Sequence, residues 1–105
     1  MSEGRWVPAV EQKKLREETA RICEIEGKKI AVYRTDDQFF ATANQCPHAD
    51  GSLGLGKVRG LLVICNRHDW KFHLKTGVCK TADGFDVKTY KTRIKSGWVE
   101  VLVED

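Results

Sequence analysis

The chain has 105 residues, 41% of them hydrophobic and 31% charged, which predicts a single globular domain spanning residues 1–105. Its net charge of +3 falls short of the strongly basic signature of nucleic-acid binders. The longest aliphatic run, residues 61–64, is too short to cross a membrane, and no signal peptide is evident at the start, so we expect a cytoplasmic protein.

Short strands and tight turns are predicted before residue 44. Gln12 to Glu18 is polar and too short for a stable helix, so we expect a loop or a single turn there. Pro8 fits an edge strand because proline cannot donate to a strand ladder. The apolar alternation predicts strands at residues 5–10, 21–25, 29–34 and 38–43.

The second half begins with a glycine-rich region and returns to strands. We expect strands at residues 57–59, 61–65, 70–72, 86–95 and 98–103, the last two joined at Ser96-Gly97. Seven to ten short strands without a long helix predict an all-β fold, an antiparallel sandwich or a small barrel.

Two similar pieces of sequence carry the candidate chemistry. Cys46-Pro47-His48 is followed, after sixteen intervening residues, by Cys65-Asn66-Arg67-His68. Each piece supplies one thiolate and one imidazole on a turn at the end of a predicted strand, where a scaffold holds ligands on exposed loops. Cysteines in a cytoplasmic chain indicate metal or cluster binding more than disulfides.

Three interpretations of this repeat remain open on residue types alone. The cysteines could belong to the core, with the histidines in turns. Two Cys and two His could complete a tetrahedral zinc site, although common zinc sites pair Cys with Cys and His with His. Because each loop carries one Cys and one His, the two loops also suit a two-iron cluster in which both thiolates bind one iron and both imidazoles bind the other.

The sequence resembles the Rieske family over residues 44–80, through Cys46-Pro47-His48 and Cys65-Asn66-Arg67-His68-Asp69-Trp70-Lys71-Phe72, followed by Thr76-Gly77. The resemblance implies a Rieske-type antiparallel β-sandwich with a small cluster-binding subdomain at residues 44–80. It also implies one 2Fe–2S cluster, held by Cys46 and Cys65 on the inner iron and by His48 and His68 on the outer iron.

Respiratory members of the family differ from this chain at four positions. They carry a disulfide between cysteines where this chain has Gly51 and Arg67, and they carry hydroxyl groups where it has Trp70 and Phe72. With fewer hydrogen-bond donors near the cluster, its negative charge is less well stabilised. The resemblance therefore implies a potential toward the lower end of the Rieske range of roughly −150 to +300 mV.

The resemblance implies an electron carrier and not an enzyme. Outside the two pieces only His73 remains, so no second iron site is expected. We expect a ferredoxin that passes electrons from a flavin reductase to a terminal oxygenase or another oxidoreductase. One alternative is the small subunit of an NAD(P)H-dependent nitrite reductase, which residues 68–72 and 87–90 resemble. A zinc-stabilised binding module without redox activity is the second alternative.

The other cysteines and the third histidine have simpler interpretations. We expect Cys23 and Cys79 to be buried structural residues, and His73 to form hydrogen bonds. Four cations lie near the second Cys–His piece and could attract an acidic partner. They are Lys57, Arg59, Arg67 and Lys71.

Overall fold

The computed structural model describes residues 4–47, 51–67 and 69–104. The described part consists of short strands joined by turns, with two 3₁₀ turns at Gln12–Lys14 and Leu53–Leu55. The strands are β1 (Arg5–Glu11), β2 (Thr19–Ile25), β3 (Lys28–Thr35), β4 (Gln38–Ala43), β5 (Lys57–Arg59), β6 (Leu62–Ile64), β7 (Lys71–His73), β8 (Thr89–Tyr90), β9 (Thr92–Lys95) and β10 (Trp98–Val103). Within the described residues, no helical segment has the length and hydropathy of a membrane span.

These strands form three antiparallel sheets, which confirms the predicted all-β class. The sheet orders are β1-β10-β9, β2-β3-β4-β8 and β5-β6-β7. β1 lies at the edge of its sheet, as Pro8 predicted. The register between β1 and β10 shifts between Pro8 and Val10, which is a bulge of the kind that protects sheet edges.

β3 lies at the centre of the molecule and is buried on both faces. Ile30 and Val32 point into a core between the sheets β1-β10-β9 and β2-β3-β4-β8, which we call the sandwich core. Ala31 and Tyr33 point the opposite way, into a second core that we call the cysteine core because it contains Cys46, Cys65 and Cys79. Successive side chains of a strand alternate between faces, so four consecutive residues of one strand supply both cores.

The sheet β5-β6-β7 closes the cysteine core from the outside. Its central row, Val58, Val63 and Phe72, is paired across the three strands and fully or almost fully buried. Leu53, in the second 3₁₀ turn, fills the same core. The alternation exposed, buried, exposed along β5 shows that this sheet has one face against the core and one face outward.

The prediction of one continuous strand over residues 86–95 is wrong. The chain there changes sheets: β8 pairs with β4, and β9 pairs with β10. Lys91 lies between them, and its carbonyl accepts a hydrogen bond from the Leu102 N–H at 2.9 Å. The sequence pattern could not reveal this crossing, because both halves are extended and each pairs with an antiparallel neighbour.

Candidate functional site

The two cysteines of the repeat lie side by side in the cysteine core. Cys46 lies three residues beyond the end of β4, and Cys65 directly follows β6. Both are 1% exposed. No disulfide joins any of the four cysteines. His48 and His68, the predicted imidazole ligands, lie outside the described residues.

Gly51 is the point at which the first loop touches both cysteines. A Cβ at this position would lie 2.3 Å from Cys65 Sγ and 3.2 Å from Cys46 Cβ. The first distance is far below van der Waals contact, so any side chain would push against the Cys65 sulfur. The loop therefore requires glycine for space beside a sulfur atom.

Backbone hydrogen bonds fix the turn around each cysteine. The Cys46 N–H donates to the Gly51 carbonyl at 3.0 Å, and the Cys65 N–H donates to the Trp70 carbonyl at 2.7 Å. Each cysteine is thus tied to a residue on the far side of its loop. The Arg67 N–H lies 3.4 Å from Cys65 Sγ and donates to it. An N–H donor aimed at sulfur stabilises negative charge there.

Asn44 and Asn66 brace the loops with their side-chain amides. Asn44 Oδ1 accepts the Gly54 N–H at 2.8 Å, while its Nδ2 donates to Ser52 Oγ at 3.0 Å. Asn66 Oδ1 accepts the Ser52 N–H at 2.8 Å and so links the second loop to the first. Neither residue is among the candidates predicted from the sequence, although asparagine in glycine-rich turns commonly bonds nearby backbone groups.

Tyr33 provides a buried hydroxyl on the β3 side of this core. Thr42 Oγ1 donates to the Ala43 carbonyl at 2.9 Å, so its contact of 2.8 Å with Tyr33 requires the tyrosine to be the donor. Burial raises the pKa of Tyr33 well above its usual value, and negative charge on Cys46 and Cys65 raises it further. The hydroxyl therefore keeps its proton beside the two cysteines.

The remaining candidates have structural positions, as expected. Cys23 lies in the sandwich core with Sγ 3.6 Å from the Ala9 carbonyl oxygen, and burial raises the pKa of its thiol. Cys79 pairs with Phe72 and is 6% exposed. His73 Nδ1 accepts the Lys75 N–H at 3.3 Å.

Comparison with known proteins agrees with this geometry. Residues 5–91 match the family model of the Rieske [2Fe-2S] domain. The anthranilate 1,2-dioxygenase ferredoxin subunit of Burkholderia cepacia is 38% identical over 77 residues, which cover 72% of this chain and 71% of that protein.

Two solved structures extend the comparison over most of the chain. The ferredoxin in a complex of reduced oxygenase and oxidised ferredoxin, from a carbazole 1,9a-dioxygenase, has a TM-score of 0.83, 28% identity and 91% coverage of both chains. A protein described as an NADH-dependent nitrite reductase small subunit from Mycobacterium tuberculosis has a TM-score of 0.89 and 96% coverage of both chains. Its identity is 21%, so this second likeness concerns the fold.

Proposed function

Because the chain belongs to the Rieske family and is a one-electron carrier with one 2Fe–2S cluster, we propose that its two Cys–His pairs hold that cluster. The four proposed ligands are Cys46, His48, Cys65 and His68. The observation that supports this assignment is that two buried cysteines, nineteen positions apart in the chain, lie close together at Gly51. Residues 44–80 then form the cluster-binding part of a single domain.

The residues present fit this cluster. The cysteines do not form a disulfide, and the glycine at position 51 leaves room beside the Cys65 sulfur. When bound, the cluster supplies reversible uptake of one electron. The Arg67 N–H stabilises negative charge on Cys65 Sγ, and the apolar residues of the cysteine core exclude water around both sulfurs.

We propose that the electron passes from a flavin reductase to a terminal oxygenase, in the cytoplasm. The dioxygenase ferredoxin subunit and the oxygenase-bound ferredoxin among the relatives support an oxygenase as the electron acceptor. The nitrite reductase alternative is supported by the resemblance of residues 68–72 and 87–90 to such subunits and by a shared fold. Co-purification with a sirohaem enzyme from the native cell would favour the alternative, and co-purification with an oxygenase would favour the first proposal.

The ligand assignment is tested by exchanging each cysteine of the chain for serine. The Cys46→Ser and Cys65→Ser variants should lose the reddish-brown colour, the acid-labile sulfide and the paramagnetic signal after dithionite. The Cys23→Ser and Cys79→Ser variants are matched controls and should retain all three. Retention of a normal signal in Cys46→Ser or Cys65→Ser would refute the assignment.

The histidines are tested separately, because they lie outside the described residues. Exchange of His48 or His68 for cysteine replaces a neutral ligand by a negative one, which should lower the potential or abolish assembly. An unchanged optical spectrum and potential in His48→Cys would exclude His48 as a ligand. A colourless wild-type protein containing zinc and no iron would contradict the whole proposal.

A further inference from the structure

The outer face of the sheet β5-β6-β7 presents two ordered rows of side chains. The register pairs Lys57 with Ile64 and Ile64 with Lys71. The segment after β7 extends the sheet, since Phe72 pairs with Cys79 and the Lys80 N–H donates to the Lys71 carbonyl at 2.8 Å. The row nearest Cys65 is therefore Lys57, Ile64, Lys71 and Lys80, and the farther row is Arg59, Leu62, His73 and Val78.

This outer face is strongly cationic. Its two rows carry four basic side chains and no carboxylate. The segment that contains them, residues 57–80, has six basic residues and one acidic residue, so its net charge of +5 exceeds the +3 of the whole chain. Among the described residues, no carboxylate lies within ion-pair distance of Lys57, Lys71 or Lys80. Directly opposed like charges such as Lys71 and Lys80 disfavour a sheet, so the fold itself gains nothing from this arrangement.

Two acidic groups at the borders of the face bind backbone N–H groups. Glu18 accepts the Gly60 N–H at 3.1 Å, beyond the farther row. Asp86 accepts the Cys79 N–H at 3.0 Å, beside the edge formed by residues 78–80. The row beside Cys65 is the more positive of the two, because it carries three lysines and the farther row carries one arginine.

Apolar side chains lie among these cations. Ile64 and Leu62 are partly exposed in the middle of the face, and Val78 is 42% exposed at its edge. An apolar centre within a charged rim is the usual composition of a protein interface. Ile64 directly precedes Cys65, so a partner on this face lies one residue from a proposed ligand.

We infer that this cationic outer face is the docking surface for an acidic protein that exchanges electrons with the cluster, an inference that rests on the proposed function. The partner's carboxylates would pair with Lys57, Lys71 and Lys80, and an apolar side chain would cover Ile64. Complementary charge mainly accelerates encounter and depends on ionic strength.

A charge-reversal pair tests this surface on the cluster-loaded protein. The test variant is Lys57→Glu/Lys71→Glu, and the matched control is Lys91→Glu/Lys95→Glu, which makes the same change of net charge at and beside β9. Each protein is reduced with dithionite and mixed with oxidised plastocyanin, an acidic copper protein, at low ionic strength. We expect the transfer rate to fall about tenfold or more in the test variant and less than about threefold in the control.

Cytochrome c, a basic haem protein, serves as the opposite probe, and the test variant should transfer electrons to it faster than wild type does. Equal rate changes in the test and control variants would overturn the docking surface. If wild type and the control bind vesicles of anionic lipid and the test variant does not, the face binds a membrane. That result would also overturn the proposed protein docking surface. The paramagnetic signal is measured first, because its absence from wild type refutes the proposed function and not the surface.

Discussion

The two cores on either side of β3 differ in composition and in the role of their residues. The sandwich core is filled by aliphatic side chains such as Ile30, Val32 and Val101, and it joins the two larger sheets. The cysteine core holds thiols and a buried phenol among its apolar residues. Its loops are fixed by amide side chains, a glycine and backbone hydrogen bonds. We therefore expect substitutions in the first core to change stability, and substitutions in the loops that position Cys46 and Cys65 to change cluster binding.

The largest loss of stability should come from Ile30→Ala. Ile30 is fully buried, and exchange of a buried isoleucine for alanine costs about 2–5 kcal/mol. The urea midpoint should fall accordingly, while the iron content of the folded fraction stays normal. Ile94→Ala is the matched control, because Ile94 is 44% exposed and its loss should cost less than about 0.5 kcal/mol. Loss of iron from folded Ile30→Ala would contradict the division between the cores.

Gly51→Ala should reduce cluster binding rather than stability. Its backbone does not need a positive φ, so the new methyl group acts by steric contact with Cys65 Sγ. We expect iron and sulfide content to fall about tenfold, because a displaced Cys65 sulfur binds the cluster less well. Gly27→Ala is the control: φ is +80° and nothing lies near its Cβ position, so it should cost about 1 kcal/mol of stability and retain the cluster. Full iron content in Gly51→Ala would refute the steric argument.

Tyr33→Phe should produce a smaller change. It removes the donor to Thr42 Oγ1, and loss of such a bond costs about 1 kcal/mol in the free energy of unfolding. Tyr90→Phe, at a partly exposed tyrosine that contacts Lys88, should change stability by less than about 0.5 kcal/mol. Denaturation of the two variants side by side measures the difference. Equal midpoints would show that the buried hydroxyl contributes nothing.

The smallest effect is a pH dependence from Cys23. Burial raises the pKa of this thiol above its usual 9.0, so the folded chain retains a proton that the unfolded chain loses. The associated stability is complete below pH 9 and is lost as the pH rises through the folded pKa. Cys23→Ala should therefore show a shallower decline in unfolding free energy above pH 9 than wild type. Parallel declines in the two proteins would contradict this.

Most of the strands and the proximity of Cys46 to Cys65 could be predicted, because both depend on local sequence signals. Alternation along β2, β3 and β10 gave their positions to within two residues, and the spacing of Cys46 and Cys65 indicated a shared site. Long-range relations were not predictable in the same way. The change of sheets at Lys91 leaves no local pattern, and the Asn66 bond to Ser52 joins residues fourteen positions apart. The contact of Gly51 with Cys65 exists only after both loops have folded.

The dual burial of β3 also limits which insertions the chain can accept. An extra residue within the strand would rotate every later side chain onto the wrong side. Val32 would then face the thiols, and Tyr33 would project its hydroxyl among hydrocarbons without Thr42. A homologue of altered length should therefore carry its insertions in turns such as Glu26-Gly27, and never inside residues 30–33.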